Sequence, residues 1–216
     1  MFAPTMTRNF RRSVLALALA ACAGLVNAET LHVELDTSSF ASLGSSGWLD
    51  LTFAAGSGGS AVLAQAVVSH LGGFDASLAA QTQMTSNVSG SLATGFTLDN
   101  SAPADLFQAV HVGGKVDFDV TFSGAADPAL ASKSTFAATL YGADQMSLLG
   151  NPNGDLVELT WTPSAASGKP GSIASSVYDG GLATVSAVPE PSSWLMLGAG
   201  LALVGVATRR KQRAAA

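Results

Sequence analysis

The sequence predicts an all-β protein: an antiparallel β-sandwich or jelly-roll-like domain between a hydrophobic leader and a hydrophobic tail. Three observations carry this reading. Between the two ends, about nine short segments alternate apolar and polar residues with the period of two of a half-buried strand. Each is bounded by Gly, Pro, Asn, Asp or Ser, the residues that turn a chain. No strong amphipathic helix interrupts them, and many short strands divided by turns make a sandwich or jelly roll.

In order, residues 31–36 (Leu-His-Val-Glu-Leu-Asp) alternate as a strand, and 38–47 form a polar turn region. Residues 48–53 (Trp-Leu-Asp-Leu-Thr-Phe) alternate again and stop at the glycine-rich run 56–60. Residues 61–71 read as a strand rather than a short helix, because β-branched residues are adjacent and glycines flank them. Residues 78–84 suit either state. Residues 88–98 form one strand with a glycine interruption, and 99–103 turn. Strands at 105–112 and 115–122 flank Gly113 and Gly114, which predicts a hairpin, since glycines accept the positive φ of tight turns. In 115–122, Val116, Phe118, Val120 and Phe122 share one face, and Lys115, Asp117, Asp119 and Thr121 the other. A strand at 134–141 follows, then a strong turn at 151–155. In 155–162, Leu156, Glu158 and Thr160 share one face, and Val157, Leu159 and Trp161 the other. A Gly/Pro/Ser loop covers 164–172, and segments 177–178 and 182–188 end the domain.

The leader has the layout of a secretory signal peptide. Arg8, Arg11 and Arg12 precede an apolar run at 14–25, and small residues lead to a cut between Ala28 and Glu29. Residues 19–22 also resemble a lipoprotein box around Cys22, but an alanine-rich leader produces that match easily, and cleavage after Ala28 is the favoured reading. Cys22 is the only cysteine, so the exported part, residues 29–187, holds no disulfide and offers no thiolate. It is long enough for one domain with a core. Between Glu29 and Glu190 lie all 15 acidic residues against three lysines, a formal net charge of −12. That balance disfavours nucleic acid and anionic surfaces, and no nucleic-acid partner is expected.

The tail, residues 188–216, has three parts. Pro189, Glu190 and Pro191 come first. An uncharged segment at 192–208 follows, with Trp194, Leu195, Leu197, Leu201, Leu203, Val204 and Val206 as its apolar anchor. At about 1.5 Å per residue a helix there spans roughly 25 Å, slightly less than a bilayer core of about 30 Å. Trp194 suits the membrane interface at one end. Arg209, Arg210, Lys211 and Arg213 form a basic stop (209–213) at the other, and snorkelling side chains cover a small deficit in length. A transmembrane helix with its basic end in the cytoplasm is therefore expected.

Pro189-Glu190-Pro191, the apolar segment and Arg209-Arg210-Lys211, in that order at the C-terminus, resemble the PEP-CTERM sorting signal of exported Gram-negative proteins. The resemblance covers about a tenth of the chain. It implies a precursor held transiently at the inner membrane. A membrane-embedded sorting protease, exosortase, then recognises it and delivers it to the cell surface or beyond. It also implies an association with exopolysaccharide and biofilm. The tail residues would be substrate elements of that protease.

The domain offers little chemistry of its own. His32, His70 and His111 have no metal-ligand spacing, and each is expected to be structural. Ser69, His70 and Asp75 are triad residue types, but neighbours on a strand point to opposite faces, and no nucleophile elbow accompanies them. Asp117 and Asp119 share a strand face and read as a solvated surface rather than a calcium or catalytic pair. The oxygen-rich turns at 99–100 and 151–155 read as turn chemistry. Trp48, Trp161, Tyr141 and Tyr178 are candidates for a sugar platform, with Trp161, and Trp48 less firmly, assigned to the core. The expectation is a non-enzymatic envelope or extracellular-matrix protein with no catalytic residues, metal or cofactor. A carbohydrate- or calcium-binding module is the alternative, and a secreted hydrolase ranks last.

Overall fold

A computed structural model describes residues 30–56 and 62–188. The leader, its cleavage site at Ala28 and Glu29, the Pro-Glu-Pro motif, the apolar anchor and the basic stop all lie outside the described residues. Among the described residues no helix is long and apolar enough to cross a membrane.

Among the described residues twelve strands alternate with turns: β1 (Thr30–Asp36), β2 (Ser46–Ala55), β3 (Ala64–Gly72), β4 (Gln83–Met84), β5 (Val88–Ser91), β6 (Gly95–Asp99), β7 (Ala104–His111), β8 (Lys115–Gly124), β9 (Ser134–Tyr141), β10 (Val157–Thr162), β11 (Ser172–Val177) and β12 (Ala183–Ala187). Short 3-10 helices occupy Ser38–Leu43 and Ala76–Gln81. All pairings are antiparallel. Two six-stranded sheets result, A in the order β12-β1-β8-β3-β6-β5 and B in the order β11-β10-β9-β2-β7-β4. The all-β sandwich expected from the alternation is therefore present.

The core lies between the sheets and is built from alternate residues of most strands; β4 and β11 contribute no buried residue. β8 supplies Val116, Phe118, Val120 and Phe122, and β2 supplies Leu49, Leu51 and Phe53. Aromatic contacts join the sheets: Phe118 and Phe122 of sheet A lie 6.2 Å from Phe136 of sheet B, and Phe53 lies 5.9 Å from Phe122. Each such ring, fully buried, contributes about 1.5–3 kcal/mol through loss of water contact. Trp161, 4% exposed, belongs to this core as expected.

Three local expectations are corrected. Residues 105–122 are not a hairpin, because β7 lies in sheet B and β8 in sheet A. Gly113 and Gly114 instead form a corner that carries the chain between sheets, with Gly113 at φ +97. Thr37, fully buried, clamps that corner: its hydroxyl donates to Gly114 O (2.6 Å) and accepts from the Gly113 and Gly114 amides (3.0 and 3.2 Å). The predicted single strand at 88–98 is a true hairpin, β5–β6, because Gly90 (φ +117) and Gly95 (φ +81) bend it back. Leu156, placed by alternation with Glu158, is instead fully buried beside Val157. Its amide donates to Ala138 O (2.8 Å) while Val157 also pairs with Ala138, so the ladder is irregular there and both side chains turn inward.

Candidate functional site

The outer face of sheet B gathers the polar and aromatic groups that the core excludes. In β2, Leu49, Leu51 and Phe53 point inward, which leaves Trp48, Asp50 and Thr52 on the other side. Register sets their neighbours: Trp48 lies between Ala109 and Tyr141, Asp50 between Phe107 and Thr139, and Thr52 between Asp105 and Ala137. Trp48 is buried (3% exposed) yet not in the core: its ring stacks on Phe107 at 5.1 Å and 8°, and Tyr141 meets Phe107 edge-on at 5.7 Å. The expected core position of Trp48 is thus corrected. One face of its ring is covered by Phe107 in this outer aromatic cluster.

Asp50 sits half-buried beside the cluster, and its Oδ1 is buried without a hydrogen-bond partner among the described residues. Burial, reinforced by the charges of Asp105 and Asp155, pushes its carboxyl up to about 6. Burial also raises the Tyr141 phenol, with Asp50, Asp155 and Asp105 adding to the effect. Along the same face, Asp155 Oδ1 accepts from the Thr139 hydroxyl (2.7 Å). At the β11 end, Tyr178 is 55% exposed and its hydroxyl donates to Glu158 Oε2 (3.0 Å), which raises the phenol. Asn151, Asn153, Asp155 and Tyr178 line a shallow recess of about 300 Å³. This face can offer carboxylate acceptors to hydroxyl groups and one open ring for stacking. Sequence reasoning passed over Asp50 and Phe107; the alternation of 48–53 held the signal, since it puts Asp50 on the face of Trp48.

The outer face of sheet A carries a second cluster. Asp119 was expected on a solvated surface, but it is only 7% exposed. His32 Nδ1 lies 2.7 Å from its Oδ1 and His70 Nδ1 lies 2.6 Å from its Oδ2. His32 reaches it directly, being opposite Asp119 in the β1–β8 register. His70 reaches it because the register between β3 and β8 shifts at Ser69–Gly72, with His70 at φ +51. The bulge re-aims the imidazole onto the face it would have left by simple alternation. Asp117 does not join the pair. Ser69, His70 and Asp75 do not converge: Asp75 accepts from Ser77 N (2.9 Å) and lies 3.9 Å from His111 Nε2. Among the described residues, no three His, Cys, Asp or Glu side chains are placed to hold a metal ion.

The oxygen-rich turns serve the fold. Asn100, 6% exposed, accepts from Ala64 N (2.8 Å) and donates to Val62 O and Ser134 Oγ (2.9 Å each). Asn151 donates to Asp155 O (2.6 Å) and accepts from Asn153 N (3.1 Å), closing its own turn.

The last strand leads straight into the tail. β12 ends at Ala187, and the Val188 amide donates to Thr30 O (3.0 Å), so the described domain begins and ends at one point on sheet A. The segment that follows this strand is the one that comparison with known proteins identifies. Residues 187–211 match the family model of the PEP-CTERM protein-sorting motif, and the chain carries that motif. The motif implies export in a Gram-negative cell, a membrane-held precursor and processing by exosortase. No curated protein and no solved structure matches the chain.

Proposed function

We propose that the chain is a non-enzymatic protein of the cell envelope or extracellular matrix, exported through its leader, held at the inner membrane by residues 192–208 and released or transferred by exosortase. The domain is the delivered cargo, and it works in association with exopolysaccharide. The PEP-CTERM motif at 187–211 carries this reading, since it begins on the last residue of β12 and leaves the whole sandwich upstream of any cut. Replacing Pro189, Glu190 and Pro191 by alanine is expected to leave uncleaved precursor in the membrane fraction. Normal processing of that variant, followed by mass spectrometry of the mature termini, would refute it.

A second reading makes the domain a carbohydrate-binding module. The exposed Tyr178 ring, held by Glu158 beside Asp155, favours it over a calcium site. A pull-down on the polysaccharide of the producing cells tests it. Retention of the protein, with at least a tenfold loss for Tyr178→Ala, is expected; equal retention of both would rule out Tyr178 as the platform.

A further inference from the structure

β11 closes one side of sheet B. Among the described residues it pairs on one side only, with β10, and five of its six residues are exposed. An unpaired edge is a template for another strand, and proteins guard such edges by brevity, bulges, proline or charge. Two of the other edges are guarded: β4 has two residues, and β5 has four and is bent by Gly90 at φ +117. The third, β12, is shorter than β11 at five residues and is likewise without charge or proline. β11, Ser-Ile-Ala-Ser-Ser-Val, is the longest of the four and holds neither charge nor proline. Yet residues 30–188 carry 13 acidic residues against three lysines, a formal net charge of −10. Two copies repel over most of their surfaces but not along this strand.

We propose that β11 pairs antiparallel with β11 of a second copy, about a two-fold axis perpendicular to sheet B through Ser175. Such an axis keeps outer face with outer face, so only residues of like face can be paired. Ser175 then meets its own counterpart, Ala174 meets Ser176, and Ile173 meets Val177. Ile173 and Val177 lie opposite Trp161 and Val157 on the core side, so two Ile–Val pairs extend the core across the junction. They cover Val177, which is 40% exposed in one copy. Cross-strand pairs of β-branched residues stabilise a sheet, and no like charges are opposed. This self-complementarity is what selects a second copy over an unrelated strand. Sheet B of one copy and sheet B of the other become one continuous sheet.

The test uses the full chain expressed with its leader and tail, in a Cys22→Ala background. Residues directly opposed across strands have Cβ atoms about 4.5–5.5 Å apart, close enough for two cysteines to be oxidised to a disulfide. Ser175→Cys is expected to give a reducible dimer on a non-reducing gel, and Ser101→Cys, at another exposed site, is not. Adding Ala174→Lys with Ser176→Lys opposes lysines twice and should cut the dimer at least tenfold. Ala174→Glu with Ser176→Lys opposes unlike charges and should restore it. All these positions are exposed, and matched melting temperatures verify that the variants fold. A monomeric Ser175→Cys chain, a dimer indifferent to the lysine pair, or equal cross-linking of Ser101→Cys would overturn the proposal.

Discussion

Replacing Asp50 by asparagine is expected to stabilise the domain at neutral pH. The carboxyl has its ordinary value of 3.8 when the chain is unfolded and is pushed up to about 6 in the fold, chiefly by burial. Between those values the folded protein binds more protons than the unfolded one, so stability falls as pH rises through about 6. The full shift corresponds to about 3 kcal/mol at pH 7.5, at 1.36 kcal/mol per unit. Water reaching the half-buried group screens part of this, so a neutral isostere recovers about 1–3 kcal/mol. For a domain of this size that raises the melting temperature by about 3–10 °C. Thermal or urea unfolding of wild type and Asp50→Asn at pH 7.5 and pH 4.5 measures it. The advantage of the variant should fall to about a third at pH 4.5 and vanish below about pH 3.8, where Asp50 is protonated in both the folded and the unfolded chain. The difference between the two proteins removes the titration of every other group. A variant less stable than wild type at pH 7.5, or a gain that does not depend on pH, would refute the reasoning.

Two further outcomes are expected. Asn100→Ala leaves the buried Ala64 amide and the Ser134 hydroxyl without their partner and should cost about 2–4 kcal/mol in urea unfolding. Asp127 accepts from the Ala129, Ala131 and Ser132 amides (3.0, 3.0 and 2.7 Å), and these bonds, led by Ser132, hold its carboxyl below the usual range. Asp127→Asn should therefore lower the melting temperature at pH 7, and the gap should close as acid protonates the wild-type group below about pH 4.

Alternation alone carried the fold. It identified the inward faces of β8 and β10 residue by residue, because a strand buried on one side must repeat every second position. It could not assign strands to sheets. Gly113 and Gly114 signal a sharp turn, but the difference between a hairpin and a corner between sheets lies in Thr37, 76 and 77 residues away in the chain. The site was legible only in part. Tyr141 and Tyr178 stand out as aromatics, whereas Asp50 needs the register of β7 and β9 to show its neighbours. The His32–Asp119–His70 cluster was hidden for a different reason. It depends on one extra residue in β3, and period-two reasoning has no place for a bulge.

The hydrogen bond from Val188 to Thr30 has a mechanical consequence. Whatever grips residues beyond 188 pulls on the end of β12, an outermost strand, at the point where β1 begins. While residues on both sides of the domain are held, as in a precursor whose leader is still uncut, a load between them opens the antiparallel β1–β12 ladder one bond at a time rather than shearing its five register pairs together. The last bond of that series is from the Asp36 amide to Leu182 O (2.7 Å), beyond the other end of the ladder. The domain thus has a compliant handle at residue 188: β12 is the first element such a load would strip, ahead of the phenylalanine core.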